Sequence, residues 1–229
     1  MLVDESHLMQ VPEGVDMVTA GGIPETWLTA YQLLHTIGGV KAGDFVLVLA
    51  AGSGVGTAAI QLAVAAGAKP IAVAGTAAKL ENAAKLGAVA TFNYKDGGYG
   101  EGVKAAADGR GVNIVLDCVG GSLWGENAQA IAMEGRWVLY GLMGGPSPDG
   151  PVLAHLLRKR VRLEATTLRA RSDEYKAQLV AGLTPLLPHF TDGSFSVVVD
   201  TVYEGLDKVQ EAHERMQSNA NMGKLIVKL

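Results

Sequence analysis

Apolar runs alternate with glycine turns and amphipathic stretches along most of the chain. The clearest case is residues 44–67, DFVLVLAAGSGVGTAAIQLAVAAG. The run over 45–50 predicts a strand buried on both faces. A turn through Gly52, Ser53, Gly54, Val55 and Gly56 follows, then a small-residue helix ending at Gly67. KPIAVA at 69–74 predicts a second buried strand. Residues 76–86 predict a helix with Leu80, Ala83 and Ala84 on its apolar side and Gly87 as its stop. Further strands are predicted at 89–94, 112–119, 136–140 and 161–168. Between them lie a weakly helical, glycine-rich stretch at 97–111, a helix over 123–133 capped by Ser122, and a short helix before the sixth strand. This alternation implies a parallel sheet with helices on both faces, a doubly wound α/β fold of the Rossmann type.

The two ends depart from the series. Residues 1–18 predict a short strand-like start and a turn at Pro12, Glu13 and Gly14. Residues 24–37 predict a helix with Pro24 in its first turn and Gly38 and Gly39 at its end. Leu28, Tyr31, Leu34 and His35 fall on neighbouring faces of it. Residues 173–190 read as helix broken near Pro185 and Pro188, 196–203 as a strand, 206–217 as an amphipathic helix and 224–229 as a closing strand. The terminal strands are expected to belong to a second sheet.

Composition alters this picture little. Of 229 residues, 48% are hydrophobic, 18% are charged and 30 are glycine, as in a globular chain able to bury a full core. The formal net charge of −4 offers no general attraction to nucleic acid or to an anionic membrane. Neither is expected as a partner. The basic group Arg158, Lys159, Arg160 and Arg162 reads as a solvated helix end. A single cysteine excludes an intrachain disulfide framework and fits a reducing compartment. With no signal-peptide pattern and no apolar run long enough to span a bilayer, the expected location is the cytoplasm.

A strand, a glycine turn and a helix N-terminus together make a phosphate site, because the free N–H groups and the helix dipole attract an anion. Thr57 stands where the third glycine of GxGxxG would fall. Dinucleotide sites of the NAD type carry an acid about twenty residues on, for the ribose 2′-hydroxyl. Here no acid occurs between Asp44 and Glu81, and the second strand ends instead at Gly75 and Thr76, with Lys79 a helical turn further. A hydroxyl, backbone amides and an ammonium suit a 2′-phosphate, which favours NADP(H) over NAD(H). The plainer reading of Lys79 is a surface lysine. The other strand ends supply Cys118, Val119 and Gly120, and Tyr140, Gly141, Leu142 and Met143. Glycines there let a flat ring lie close to the backbone, and Cys118 reads as an ordinary buried thiol. The five histidines have no ligand spacing, Ser53 lacks the flanking glycines of a nucleophile elbow, and no Lys-Ser/Thr pair closes a Walker loop. An S-adenosylmethionine-dependent methyltransferase remains an alternative, although it too wants an acid at the second strand's end.

Taken together, ETWLTAYQLL, AAGSGVGTAAIQLA, LDCVGG, GRWVLYGLMGG and NMGKLIV resemble the medium-chain dehydrogenase/reductase superfamily. They are most similar to its zinc-independent NADPH quinone oxidoreductases, the zeta-crystallin-like group and its tumour-suppressor-inducible branch. The resemblance implies hydride transfer from NADPH to a quinone or another electron-poor acceptor. It implies remnants of a GroES-like catalytic domain at 1–23, beginning with a strand near 2–4, a Rossmann domain at 24–190, and a return to the catalytic domain at 191–229. Most of that catalytic domain is then missing, which leaves a non-catalytic NADPH-binding module as the alternative. Carried over by the resemblance, Thr29 and Asn221 lie beside the nicotinamide, Ser53, Gly54, Val55 and Gly56 bind the pyrophosphate, and Gly75, Thr76, Lys79 and Tyr94 surround the 2′-phosphate. Tyr140, Gly141, Leu142 and Met143 flank the nicotinamide. Ser53 stands where many relatives have glycine. Glu25 falls near a zinc-ligand position of zinc-dependent relatives, but one carboxylate cannot hold zinc, and no metal is expected. A homodimer through the sixth strand is also implied. No catalytic residue is assigned.

Overall fold

A computed structural model describes residues 3–229. In chain order it contains helices α1 (Met17–Gly21) and α2 (Pro24–Tyr31), strand β1 (Phe45–Val48), α3 (Gly54–Ala65), β2 (Lys69–Ala74), α4 (Ala77–Lys85) and β3 (Ala90–Asn93). Then come α5 (Tyr99–Ala106), β4 (Val112–Asp117), α6 (Trp124–Ala130), β5 (Ile131–Leu139), α7 (Val152–Lys159) and β6 (Arg162–Ala165). The chain closes with α8 (Asp173–Leu183), β7 (Val199–Glu204), α9 (Val209–Gln217) and β8 (Lys224–Lys228). The first six strands form one parallel sheet in the order β3-β2-β1-β4-β5-β6, the doubly wound Rossmann arrangement. β7 and β8 pair in parallel as a separate two-stranded sheet, so the terminal strands do stand outside the main series.

Successive residues of a strand face opposite sides, and the central strands bury both. Val46 and Val48 join Trp27, Leu33, Ile60, Leu62 and Leu183 in the core on one face. Phe45, Leu47 and Leu49 join Tyr99, Val103, Ile131 and Trp137 on the other. The continuous apolar run that predicts β1 is therefore a consequence of two cores meeting at one strand.

Local departures have local causes. The expected strand-like start is not found in the described part of 1–18: Asp4 accepts the Ser6 N–H at 2.9 Å and opens a 3₁₀ turn, Glu5–His7. Met1 and Leu2 lie outside the described residues. The helix predicted over 24–37 leaves α-geometry after Tyr31 and runs as a π-helical segment, Gln32–Ile37. Ser122 does not cap α6. It lies in a 3₁₀ turn, Gly121–Leu123, and its N–H donates to Gly144 O at 3.0 Å, drawing the loop after β4 onto the loop after β5. The helix predicted to reach residue 133 stops at Ala130, because Ile131 already pairs with Val112. A register shift then accommodates Glu134 at φ +61 before Arg136 pairs with Ile114.

The turn between β1 and α3 depends on close backbone packing. A Cβ at Gly56 would lie 2.5 Å from Ala50 O and 2.8 Å from Ala51 Cα, so the first turn of α3 sits directly on the chain leaving β1. Gly56→Ala should cost about 1–3 kcal/mol, the range for overpacking a site that cannot yield. Urea denaturation should show a lower midpoint at an unchanged slope.

Candidate cofactor-binding site

In an open parallel sheet, ligands bind beyond the carboxyl ends of the strands, at the crevice where the strand order reverses. That reversal falls between β1 and β4. The glycine turn follows β1. Ser53 Oγ accepts the Gly56 N–H at 3.0 Å and caps α3 from within. Thr57 turns its hydroxyl inward, to Gly54 O at 3.0 Å. Among the described residues the N–H groups of Gly54 and Val55, in the first turn of α3, have no hydrogen-bond acceptor, as the first donors of a helix do not. Helix α2 abuts the same turn: a Cβ at Gly54 would meet Thr26 Cγ2 at 2.7 Å. Thr29 follows Thr26 on that helix and is half-buried.

Gly75, Thr76, Lys79 and Tyr94 do come together. A Cβ at Gly75 would stand 2.7 Å from Tyr94 Oη, so the phenol rests on the end of β2. Thr76 caps α4, its hydroxyl facing the Lys79 N–H at 3.4 Å. The Lys79 stem folds over the glycine turn, with Cγ 2.6 Å from where a Gly52 Cβ would be. Its ammonium donates to Asn219 O at 2.8 Å and to Asn219 Oδ1 at 3.3 Å. Partial burial pulls the Lys79 pKa below the usual lysine value; the charge of Asp200 pushes it up, and that of Lys95 down.

This corrects the expectation of a surround without carboxylates. No acid stands between the glycine turn and Lys79 in sequence, but the fold brings Asp200 from β7 within electrostatic reach. Asp200 is already engaged: Arg215 pairs with it through Nε and through Nη2, the latter at 3.0 Å, and the Met222 N–H donates to it at 2.9 Å. The Arg215 bond above all lowers its pKa to about 2. Asn221 sits in the same closing segment, half-buried, with Nδ2 3.4 Å from Gly223 O. The Gly223 N–H donates to Gly52 O at 2.7 Å, fastening that segment to the turn.

The β4 and β5 ends form a second group. Met143 N–H donates to Cys118 O at 3.0 Å and Gly144 N–H to Val119 O at 2.7 Å, zipping the two loops together. Gly141 packs on Cys118, whose carbonyl oxygen would lie 2.9 Å from an added Cβ. Gly120, at φ +76, makes the turn that a side chain would resist. Leu142 and Met143 are exposed and Tyr140 is half-buried. Burial pushes the pKa of the Cys118 thiol and of the Tyr140 phenol up. That leaves Cys118 a protonated, inert thiol.

Sequence reasoning missed the residue that holds this group. Asp117, fully buried, accepts the Val119 N–H (2.7 Å), the Gly120 N–H (2.9 Å), Trp137 Nε1 (3.0 Å) and Asn127 Nδ2 (3.4 Å). An acid inside an apolar strand, with Asn and Trp further along, was the available signal. It also missed the β6 end, where Thr166 N–H donates to Leu139 O at 2.9 Å. Metal ligation finds no support in the donor set: among the described residues no three His, Cys, Asp or Glu side chains gather, and Glu25 stands exposed at the start of α2. No helix is long and apolar enough to cross a membrane.

Comparison with other proteins places this geometry. Residues 54–183 match the family model described as zinc-binding dehydrogenase. Quinone oxidoreductase-like protein 2 of Bos taurus is 30% identical over 229 residues, covering 100% of this chain, which spans 65% of that relative's length. Among solved structures, an NAD-dependent alcohol dehydrogenase superposes with a TM-score of 0.87 at 31% identity, over 99% of this chain and 63% of its own. A mycobacterial protein solved with NADPH gives 0.83 at 25% identity, over 96% of this chain and 67% of its own. These likenesses set the methyltransferase alternative aside.

Asp117→Asn turns a four-donor acceptor into a group with one acceptor oxygen and an NH₂ that faces donors. It should cost about 1–3 kcal/mol in denaturation, the penalty for buried groups left unpaired. Nucleotide affinity, read by calorimetry, should fall with it, since the Cys118–Gly120 backbone loses its anchor.

Proposed function

Because the chain belongs to the zinc-binding dehydrogenase family of the medium-chain dehydrogenase/reductases, which are NAD(P)-dependent oxidoreductases, we propose that it binds NADPH and reduces a quinone or another electron-poor acceptor. When bound, NADPH supplies a hydride from its nicotinamide C4; with a proton from solvent, a quinone becomes the hydroquinone and NADP⁺ remains. The residues orient and exclude water. Gly54 and Val55 N–H groups, at the N-terminus of α3, take the pyrophosphate, and Thr76, Lys79 and Tyr94 take the 2′-phosphate. The zipped loops carrying Cys118 to Gly120 and Tyr140 to Met143 form the flat support for the ring, with Thr29 and Asn221 at its margin. On this reading residues 24–190 are the cofactor domain, and 1–23 and 191–229 go with a GroES-like unit.

The observation that carries the reading is Lys79. Its stem is folded over the glycine turn, after a strand end that carries no acid of its own, and its ammonium is held at Asn219. The alcohol dehydrogenase likeness is to an NAD-dependent protein, so cofactor choice is the point to test. Lys79→Ala should weaken NADPH binding about 10- to 100-fold, the range for a lost charge-assisted hydrogen bond, and NADH binding less than twofold. Equal weakening of both in calorimetry sinks the phosphate role. The alternative reading is cofactor binding without turnover. Loss of NADPH absorbance on adding 9,10-phenanthrenequinone decides for the enzyme, and a bound but unoxidised cofactor for the module.

We propose further that two copies pair through β6. Its four residues are exposed along an edge that no other strand of the described residues covers, and Leu153 (80% exposed), Leu157 (81%) and Leu163 (38%) lie on it or on α7 before it. Light scattering after size exclusion should give twice the chain mass, and Leu157→Glu with Leu163→Lys should halve it. A monomeric parent rejects the pairing.

A further inference from the structure

Beyond the carboxyl end of β6 lies a recess of about 470 Å³ lined by Ala165, Thr166, Thr167, Ala170 and Arg171. It starts next to the proposed ring support, because Ala165 pairs with Leu139, the residue before Tyr140. One strand spacing, about 4.8 Å, separates the two chains there.

Arg171 is held at this recess in a fixed posture. Its Nη2 donates to Thr166 Oγ1 at 2.8 Å and its Nε to Thr167 O at 3.3 Å. The guanidinium lies over the Tyr175 ring, 4.6 Å from the centroid. Both supports are braced from below by Gln32, a buried side chain that donates to Thr166 Oγ1 at 3.1 Å and to Tyr175 Oη at 3.2 Å. A guanidinium has five N–H groups, and these two bonds use two. Among the described residues no carboxylate lies within ion-pair distance of it. A cation with its orientation fixed, its charge unneutralised and donors to spare is prepared for an oxyanion, which a guanidinium fork binds in two-point fashion.

The cofactor does not supply that oxyanion. β6 stands three strand spacings from β1, about 14 Å from the strand that delivers the glycine turn, and further still from the Lys79 group beyond β2. The nicotinamide itself carries no anionic group. What remains is the acceptor.

We propose that Arg171 recognises a carboxylate or similar oxyanion on the substrate, so that the preferred acceptor is an anionic, electron-poor quinone or alkene rather than a neutral one. The inference rests on the oxidoreductase reading above. Tyr175 and Gln32 act through Arg171 as positioning residues, and the acid group of the acceptor lies on the β6 side of the reacting carbon.

The test compares 9,10-phenanthrenequinone with its 2-carboxylate. Arg171→Met should lower kcat/KM for the carboxylate at least tenfold, mainly through KM, and for the neutral quinone less than twofold. Arg171→Lys, which keeps the charge and loses the fork, should fall between. A purely structural role would damage both acceptors alike, and that result overturns the proposal. A second arm needs no turnover: calorimetric titration of the carboxylate into the protein, with and without NADP⁺. Affinity lost in Arg171→Met supports the proposal and unchanged affinity overturns it, even if neither acceptor is reduced and the oxidoreductase reading falls. Should Arg171→Met not fold, Arg171→Lys decides the same two arms through a several-fold loss confined to the carboxylate.

Discussion

The β4–β5 end of the crevice hangs on one buried carboxylate. Asp117 closes β4 and binds the loop that follows it, the indole of β5 and the amide of α6 at once. Trp137 in turn stacks on Trp124 of α6 at 4.2 Å, and Asn127 accepts the Tyr99 hydroxyl of α5 at 2.7 Å. Two helices, two strands and a loop therefore take their relative positions from one acceptor in a site that water does not reach. A charge so placed is tolerable only when each oxygen is satisfied, and satisfied it fixes geometry more sharply than apolar packing does. That is what the proposed ring support would require: backbone that does not shift when a ligand arrives.

The glycine-turn end works by a different means. There the protein arranges charges around a turn that has almost no side chains of its own. Lys79 is drawn over Gly52 and tethered to Asn219, in the segment that also carries Asn221. The carboxylate of Asp200, close enough to be felt, is spent on Arg215 and the Met222 N–H. The field at the turn thus comes from helix α3 and from Lys79, with the nearby acid largely neutralised. An incoming 2′-phosphate would exchange one set of lysine partners, a carbonyl and an amide oxygen, for a stronger anionic one.

Relatives of this chain share its fold while their names differ in cofactor and substrate. Sheet order, glycine turn and zipped loops build the crevice, and the fold as a whole superposes on an alcohol dehydrogenase and an NADPH-bound mycobacterial protein alike. On the proposals made above, discrimination would lie in few side chains at the rim: Lys79 at one end, and Arg171 on its Tyr175 platform at the other. Neither is needed for the strands to pair.

Much of this was legible in the chain because its signals are local. An apolar run buried on both faces, a glycine turn and a small-residue helix predict β1, the turn and α3, and Lys69–Ala74 is bounded as its pattern says. Thr76 as a helix start and the breaks near Pro185 and Pro188 follow from backbone chemistry within a few residues. Tertiary structure decided whatever depended on partners distant in sequence. Ser122 looks like a cap until Gly144 claims its N–H, and the helix before β5 ends early because Val112 pairs with Ile131. The carboxylate beside Lys79 comes from more than a hundred residues away, as does the Thr166 hydroxyl that Gln32 braces. Periodicity reports which faces are buried, whereas the position of a charge is set by what the fold lays against it.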